Sequence, residues 1–142
     1  MMDPEWLRPL SRVIITPHPK EFERLFVMSP TRENVVAMAN EYGCIILLKG
    51  REDIICNSDQ AVEISGGNPG MTKGGTGDVL AGLVASLACN NDVWLSACAG
   101  SFFNKRAGES LEKRMGIYFN ASDLALEIPA VMHQWLGKDH EK

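Results

Sequence analysis

"GGNPGMTKGGTGDVLAGLVASL" runs from Gly66 to Leu87 and places six of the chain's 13 glycines within twelve residues, just before an apolar run of helical character. A helix N-terminus exposes unpaired N–H groups and the positive end of the macrodipole, so it attracts anions. Glycines ahead of it let the backbone approach a phosphate closely and adopt positive φ. Gly74, Gly75 and Gly77 stand where such a cradle belongs. The stretch departs from two better-known phosphate loops: it has no GK[ST] ending, and "GTGDVL" lacks the last glycine of GxGxxG. Asp78, in the first helical turn, has two readings. Either it complements the helix dipole as an acid, or it takes a proton from a hydroxyl that attacks a phosphoryl group.

Upstream, "RVIITP" is a β-branched run that predicts a buried strand over residues 13–16. Pro17 and Pro19 stiffen the loop that follows and bracket His18. Loops at the carboxyl ends of parallel strands are where open α/β folds bind ligands. His18 therefore either hydrogen-bonds a substrate or ties the loop backbone together, and Glu21 reads as a cap of the next helix. "CIILLKG" is continuously apolar, as in a strand buried on both faces. Lys49, at its end, either meets phosphate as a point charge or stays solvated, and Lys73 within the glycine loop has the same two options.

The remaining pattern adds a helix at "KEFERLF", another starting at Ser29 or Thr31 and stopping at Gly43, and short strands at "EDIICN" and "AVEIS". Three helices follow, over residues 76–89, 92–114 and 122–135, the last with a kink or break expected at Pro129. This order predicts an α/β sandwich with a partly parallel sheet, and 142 residues suffice for one domain. No βαβ unit precedes the first strand, and only one sheet face looks supplied with helices. The sequence thus reads as the C-terminal part of a larger fold.

A net charge of −4 gives no reason to expect nucleic acid or an anionic membrane as partner. There is no apolar run of membrane-crossing length and no signal-peptide pattern, so a cytoplasmic protein is expected. Cys44, Cys56, Cys89 and Cys98 form no CxxC pair, and the three histidines have no metal-ligand spacing. Free thiols and no protein-held transition metal are the expectation.

"TPHPKEFERL", "ILLKG" and "GNPGMTKGGTGDVLAG", in that order, resemble the ribokinase-like NAD(P)H-hydrate dehydratase family, the C-terminal YjeF-type domain. The resemblance extends to about residue 126 and implies a ribokinase-like αβα sandwich. Residues 1–142 would be the C-terminal part of that single domain, lacking its N-terminal strands and helices. The implied reaction is ADP- or ATP-dependent dehydration of the S epimer of NADHX or NADPHX to NADH or NADPH. The hydrate hydroxyl is phosphorylated and phosphate then leaves. By the same resemblance, Asp78 is catalytic and touches substrate, as does His18. Lys49, Gly50, Arg51, Glu52, Asp53 and Gly77 line the adenine nucleotide, and amides of Gly75, Thr76 and Gly77 form the anion hole. Mg2+ bridges the phosphates, and a homo-oligomer or a separate N-terminal half is the expected protein partner. A small-molecule kinase acting on a sugar or vitamin-precursor alcohol, and a non-catalytic nucleotide-binding fragment, are the alternatives.

Overall fold

In β2 (Ile45–Leu48) four successive apolar residues are all buried. Side chains alternate across a strand, so Ile46 and Leu48 pack with Phe22, Leu25, Phe26, Val35 and Ala39. Ile45 and Leu47 pack on the opposite face with Ile55, Leu80, Val84 and Ala97. The computed structural model, which describes residues 3–137, satisfies this double demand with three layers. Helices α1 (Pro19–Phe26) and α2 (Arg32–Tyr42) cover one face; α3 (Thr76–Ala88) and α4 (Val93–Met115) cover the other.

The sheet order is β1-β2-β3-β4. β1 (Ile14–Ile15) runs parallel to β2, while β3 (Asp53–Cys56) and β4 (Ala61–Ile64) form an antiparallel meander beyond it. α5 (Ala121–Leu136) packs on α4 through a cluster of Phe103, Ala107, Leu111, Phe119, Leu124, Ile128 and Val131.

The α/β sandwich and its partly parallel sheet agree with the sequence pattern, with four departures. β1 has two residues rather than four and is only half-buried, because among the described residues it has a neighbour on one edge alone. The face expected to lack helices is covered by α1 and α2, with Leu7 of a 3-10 turn at Pro4–Leu7 sealing its margin. α5 continues through Pro129, where Leu124 and Ile128 before it and Val131 just after it all bury against α4. A second 3-10 turn, Pro69–Thr72, interrupts the glycine stretch where no element was expected.

Helix boundaries follow local chemistry. Thr31 caps α2, whose end is set by Gly43 at φ 60°. Asp92 caps α4 and Asn120 caps α5. All four cysteines are free, and burial pushes the thiols of Cys44, Cys56 and Cys98 up to about 11, which keeps them protonated. No described helix is long and apolar enough to cross a membrane.

One residue works against this local agreement. Val27 terminates α1 in the left-handed region at φ 54° and is 72% exposed, so no burial offsets the strain of a β-branched side chain there. Val27→Asn should stabilise the protein by about 1 kcal/mol, raising Tm by roughly 4 °C. An unchanged or lowered midpoint in thermal unfolding would show that the conformation is not strained.

Candidate active site

The glycine stretch folds into a loop in which Gly66, Gly67 and Gly70 leave no room for a side chain. Gly66 (φ 114°) and Gly67 (φ 76°) open it, and a Cβ on Gly66 would lie 2.1 Å from a terminal nitrogen of Arg106. Asn68 accepts the Gly70 amide at 2.9 Å and donates to the Gly108 carbonyl at 2.7 Å, which fastens the 3-10 turn to α4. The Lys73 ammonium donates to the carbonyls of Ile117 and Phe119. Lys73 thus closes the loop onto the segment before α5 instead of facing an anion.

At the loop's end, α3 begins at Gly75 (φ 87°) and is the one α-helix among the described residues without a side-chain cap. The Thr76 amide donates to the Lys73 carbonyl at 3.3 Å, and its hydroxyl lies 2.6 Å and 2.7 Å from the carbonyls of Met71 and Lys73. Of the expected anion hole, Thr76 is therefore occupied internally. The amides of Gly75, Gly77 and Asp78 have no acceptor among the described residues. Such donors at the positive end of a helix form an anion site.

Three side chains from the carboxyl ends of β1 and β2 meet here. His18 Nδ1 accepts the Glu21 amide at 3.2 Å, and Glu21 Oε2 accepts the His18 amide at 2.7 Å, a reciprocal cap for α1. Because Nδ1 accepts, the proton of neutral His18 sits on Nε2, 3.4 Å from Glu21 Oε1. Lys49 Nζ lies 3.6 Å from Glu21 Oε2 and 3.2 Å from where a Gly77 Cβ would stand. Burial acts to raise the Glu21 carboxyl, but the His18 amide and the Lys49 ammonium prevail and hold it below its ordinary value. His18 thus ties the loop backbone and caps α1 together with Glu21, and Glu21 also pairs with Lys49.

Asp78 projects from the first turn of α3 with neither a hydrogen bond nor an ion pair to any described residue. The residues that follow it at helical spacing, Ala81, Gly82, Ala85 and Ser86, are also exposed.

Residues Gly50, Arg51 and Glu52 are exposed beside this site. Asp53 is not: it is 4% exposed, and its carboxylate turns inward. It accepts the Gly50 amide at 2.9 Å and the Ser101 hydroxyl at 2.7 Å, and it pairs with Lys105 at 3.2 Å. A buried carboxylate needs such partners, so Asp53 shapes the segment from within rather than lining a ligand. Lys105 and Ser101 went unnoticed in the sequence. Their signal was spacing: Ala97, Ser101, Lys105 and Gly108 recur at helical intervals and place Lys105 on the buried stripe of α4.

Two outcomes follow. Glu21 has a depressed carboxyl in the fold, so its charge contributes stability that is complete above the ordinary value of 4.5 and is lost as pH falls through the lower folded value. The Tm difference between wild type and Glu21→Gln should therefore be present at pH 7 and vanish in acid; a pH-independent difference would refute the coupling. Gly70→Ala would set a Cβ 2.8 Å from the ring of the fully buried Phe119. It should cost about 1–3 kcal/mol in denaturant unfolding, and a neutral result would mean the loop yields.

With this geometry, comparison with known proteins is informative. The model of the NAD(P)H-hydrate dehydratase family matches residues 2–130. A bifunctional NAD(P)H-hydrate repair enzyme of Methanocaldococcus jannaschii is 44% identical over 119 residues, 84% of this chain and 23% of that protein. An ADP-dependent (S)-NAD(P)H-hydrate dehydratase of Nitrosopumilus maritimus is 42% identical over 127 residues, 84% of this chain and 44% of that protein. The ADP/ATP-dependent NAD(P)H-hydrate dehydratase of Bacillus subtilis, crystallised with ATP and Mg2+, superposes with a TM-score of 0.81 at 26% identity, over 87% of this chain and 48% of that one. The chain therefore spans less than half the length of these relatives, and its sheet and helices are those of their ribokinase-like fold. On the extent of the family match, this chain belongs to the NAD(P)H-hydrate dehydratase family.

Proposed function

We propose that the fold to which this chain contributes repairs hydrated nicotinamide cofactors, dehydrating (S)-NADHX or (S)-NADPHX at the expense of ADP or ATP. The observation that carries this reading is the uncapped N-terminus of α3, with Lys49 beside Gly77 and the unpartnered Asp78 in the same turn. The names of the relatives, a dehydratase dependent on ADP and one crystallised with ATP and Mg2+, agree with it.

Residues 1–142 would form the C-terminal part of a single ribokinase-like domain and carry the phosphate-binding side of its site. The substrate side would come from the part of the relatives that this chain does not span, or from another polypeptide. A cytoplasmic setting belongs to the same reading.

In this scheme the Asp78 carboxylate takes the proton of the hydrate hydroxyl as its oxygen attacks the terminal phosphoryl group of the nucleotide. The free amides of Gly75, Gly77 and Asp78 donate to the oxygens of the transferring group, where negative charge is concentrated. Lys49 supplies a positive charge whose position is set by Glu21. His18 offers its Nε2 proton to the substrate. Phosphate then leaves with the C–O bonding pair and the neighbouring ring carbon gives up a proton to solvent as the double bond re-forms, so ADP yields AMP and inorganic phosphate. The described residues contain no group of three or more metal-ligating side chains, so Mg2+ would be carried on the phosphate oxygens and water, neutralising their charge. Gly50, Arg51 and Glu52 would line the nucleotide.

The test uses the domain completed by that substrate side, with enzymatically prepared NADHX, ADP and Mg2+, followed by recovery of NADH absorbance and release of phosphate. Wild type should regenerate NADH, and Asp78→Asn should be slower by about 100-fold or more. No NADH from the completed wild-type domain would overturn the reading. A stable phosphorylated product would point to a small-molecule kinase instead, and equal rates would remove Asp78 from the mechanism.

A further inference from the structure

Lys105 takes no part in the chemistry just described, yet its side chain is 5% exposed in the middle of the longest helix. Three carbonyl oxygens surround the ammonium: Gly50 at 3.1 Å, Arg51 at 3.1 Å and Gly66 at 3.3 Å. Asp53 Oδ1 completes the cage at 3.2 Å. An ammonium has three protons, one for each carbonyl, and the carboxylate balances its charge. The Lys105 stem lies along the loop as well, its Cγ 3.6 Å from where a Gly67 Cβ would stand.

The carbonyls belong to two different segments. Gly50 and Arg51 lie between β2 and β3, in the stretch expected to line the nucleotide, whereas Gly66 opens the glycine loop. The strands that carry them stay paired only as far as Asp53 and Ile64. Beyond that pair no strand register joins the two segments. Lys105 takes up their carbonyls at that point. α4 holds the first segment at one further place, through Ser101 to Asp53, and the start of the glycine loop at three, through Arg106 to the Ser65 carbonyl at 2.8 Å, Glu109 to the Gly67 amide at 3.0 Å and the Gly108 carbonyl to Asn68 at 2.7 Å. Among the described residues of α4, only Lys105 bonds both. A purely architectural role would not require a charge here, since buried ion pairs are commonly replaced by apolar residues without loss of stability.

We propose that Lys105 is the positioning residue that fixes the separation between the two walls of the nucleotide site. It acts as a tethered cation that joins the Gly50–Arg51 carbonyls to the start of the glycine loop. This inference rests on reading the site as a nucleotide site.

Three variants of the full chain test it. Lys105→Met combined with Asp53→Asn removes both charges, leaving no unpaired buried ion. It should keep a near-native Tm while binding ADP about tenfold more weakly by calorimetry. Lys105→Ala leaves an oxygen cage that an ammonium ion fits, so ammonium chloride should restore ADP affinity where sodium chloride does not. Ser101→Ala removes an Asp53 contact without touching the cage and should leave ADP affinity near wild type. Wild-type affinity in the double variant, or an equal response to both salts, would overturn the proposal.

Hydrogen exchange gives a readout that needs no nucleotide. In the double variant, amides of residues 50–52 and 66–68 should both exchange faster, with the rest of the sheet unchanged. If wild type itself binds no ADP, the nucleotide reading is at fault, and this exchange pattern alone decides the role of Lys105. Faster exchange confined to one segment, or in neither, would refute it.

Discussion

The architecture depends on one strand that must be hidden from two sides. Each of the four side chains of β2 gains roughly 2 kcal/mol by leaving water, but only if apolar partners approach both faces. α1 and α2 supply one set, and α3 and α4 the other. That arrangement brings the carboxyl ends of β1 and β2 to the same edge as the N-terminus of α3. The meeting of these strand ends with the open N-terminus of α3 is thus a by-product of burying Ile45, Ile46, Leu47 and Leu48.

At that edge the protein treats one helix differently from the rest. His18, Thr31, Asp92 and Asn120 satisfy the amides of their helices with side-chain acceptors. Gly75 cannot, and the amides it leaves open are the ones a phosphate would need. The glycine loop is shaped largely by what it packs against: Phe119 beside Gly70, Arg106 beside Gly66, Met71 beside Gly67 and Gly108. Its glycines divide accordingly, some yielding space to neighbours and Gly75 and Gly77 leaving backbone open to a ligand.

Much of this was legible beforehand. The helix at "KEFERLF", the start of the next at Ser29 or Thr31, its stop at Gly43 and the doubly buried β2 all follow from local capping chemistry and uninterrupted apolar runs, which act within a few residues. The gathering of His18, Lys49 and Gly77 could be expected only because "TPHP", "LLKG" and "GGTGD" occur together in one order. Asp53 shows where such reading fails. An acid just after an exposed Gly-Arg-Glu run resembles a ligand contact, and only the positions of Ser101 and Lys105, 48 residues away for the serine, turn it inward. The two options for Lys73 were likewise resolved by carbonyls at Ile117 and Phe119, more than forty residues on.

The sequence by itself determined the elements, the family and the loop that would receive phosphate, because capping, strand periodicity and glycine spacing are local properties. Tertiary structure decided which charges stand beside the open end of α3 and which are tied to carbonyls within the fold. Lys49, Lys73 and Lys105 look alike in one dimension. Burial and the carbonyls brought near by the fold make the first a candidate phosphate contact, the second a clasp on the loop, and the third an internal cation between two segments.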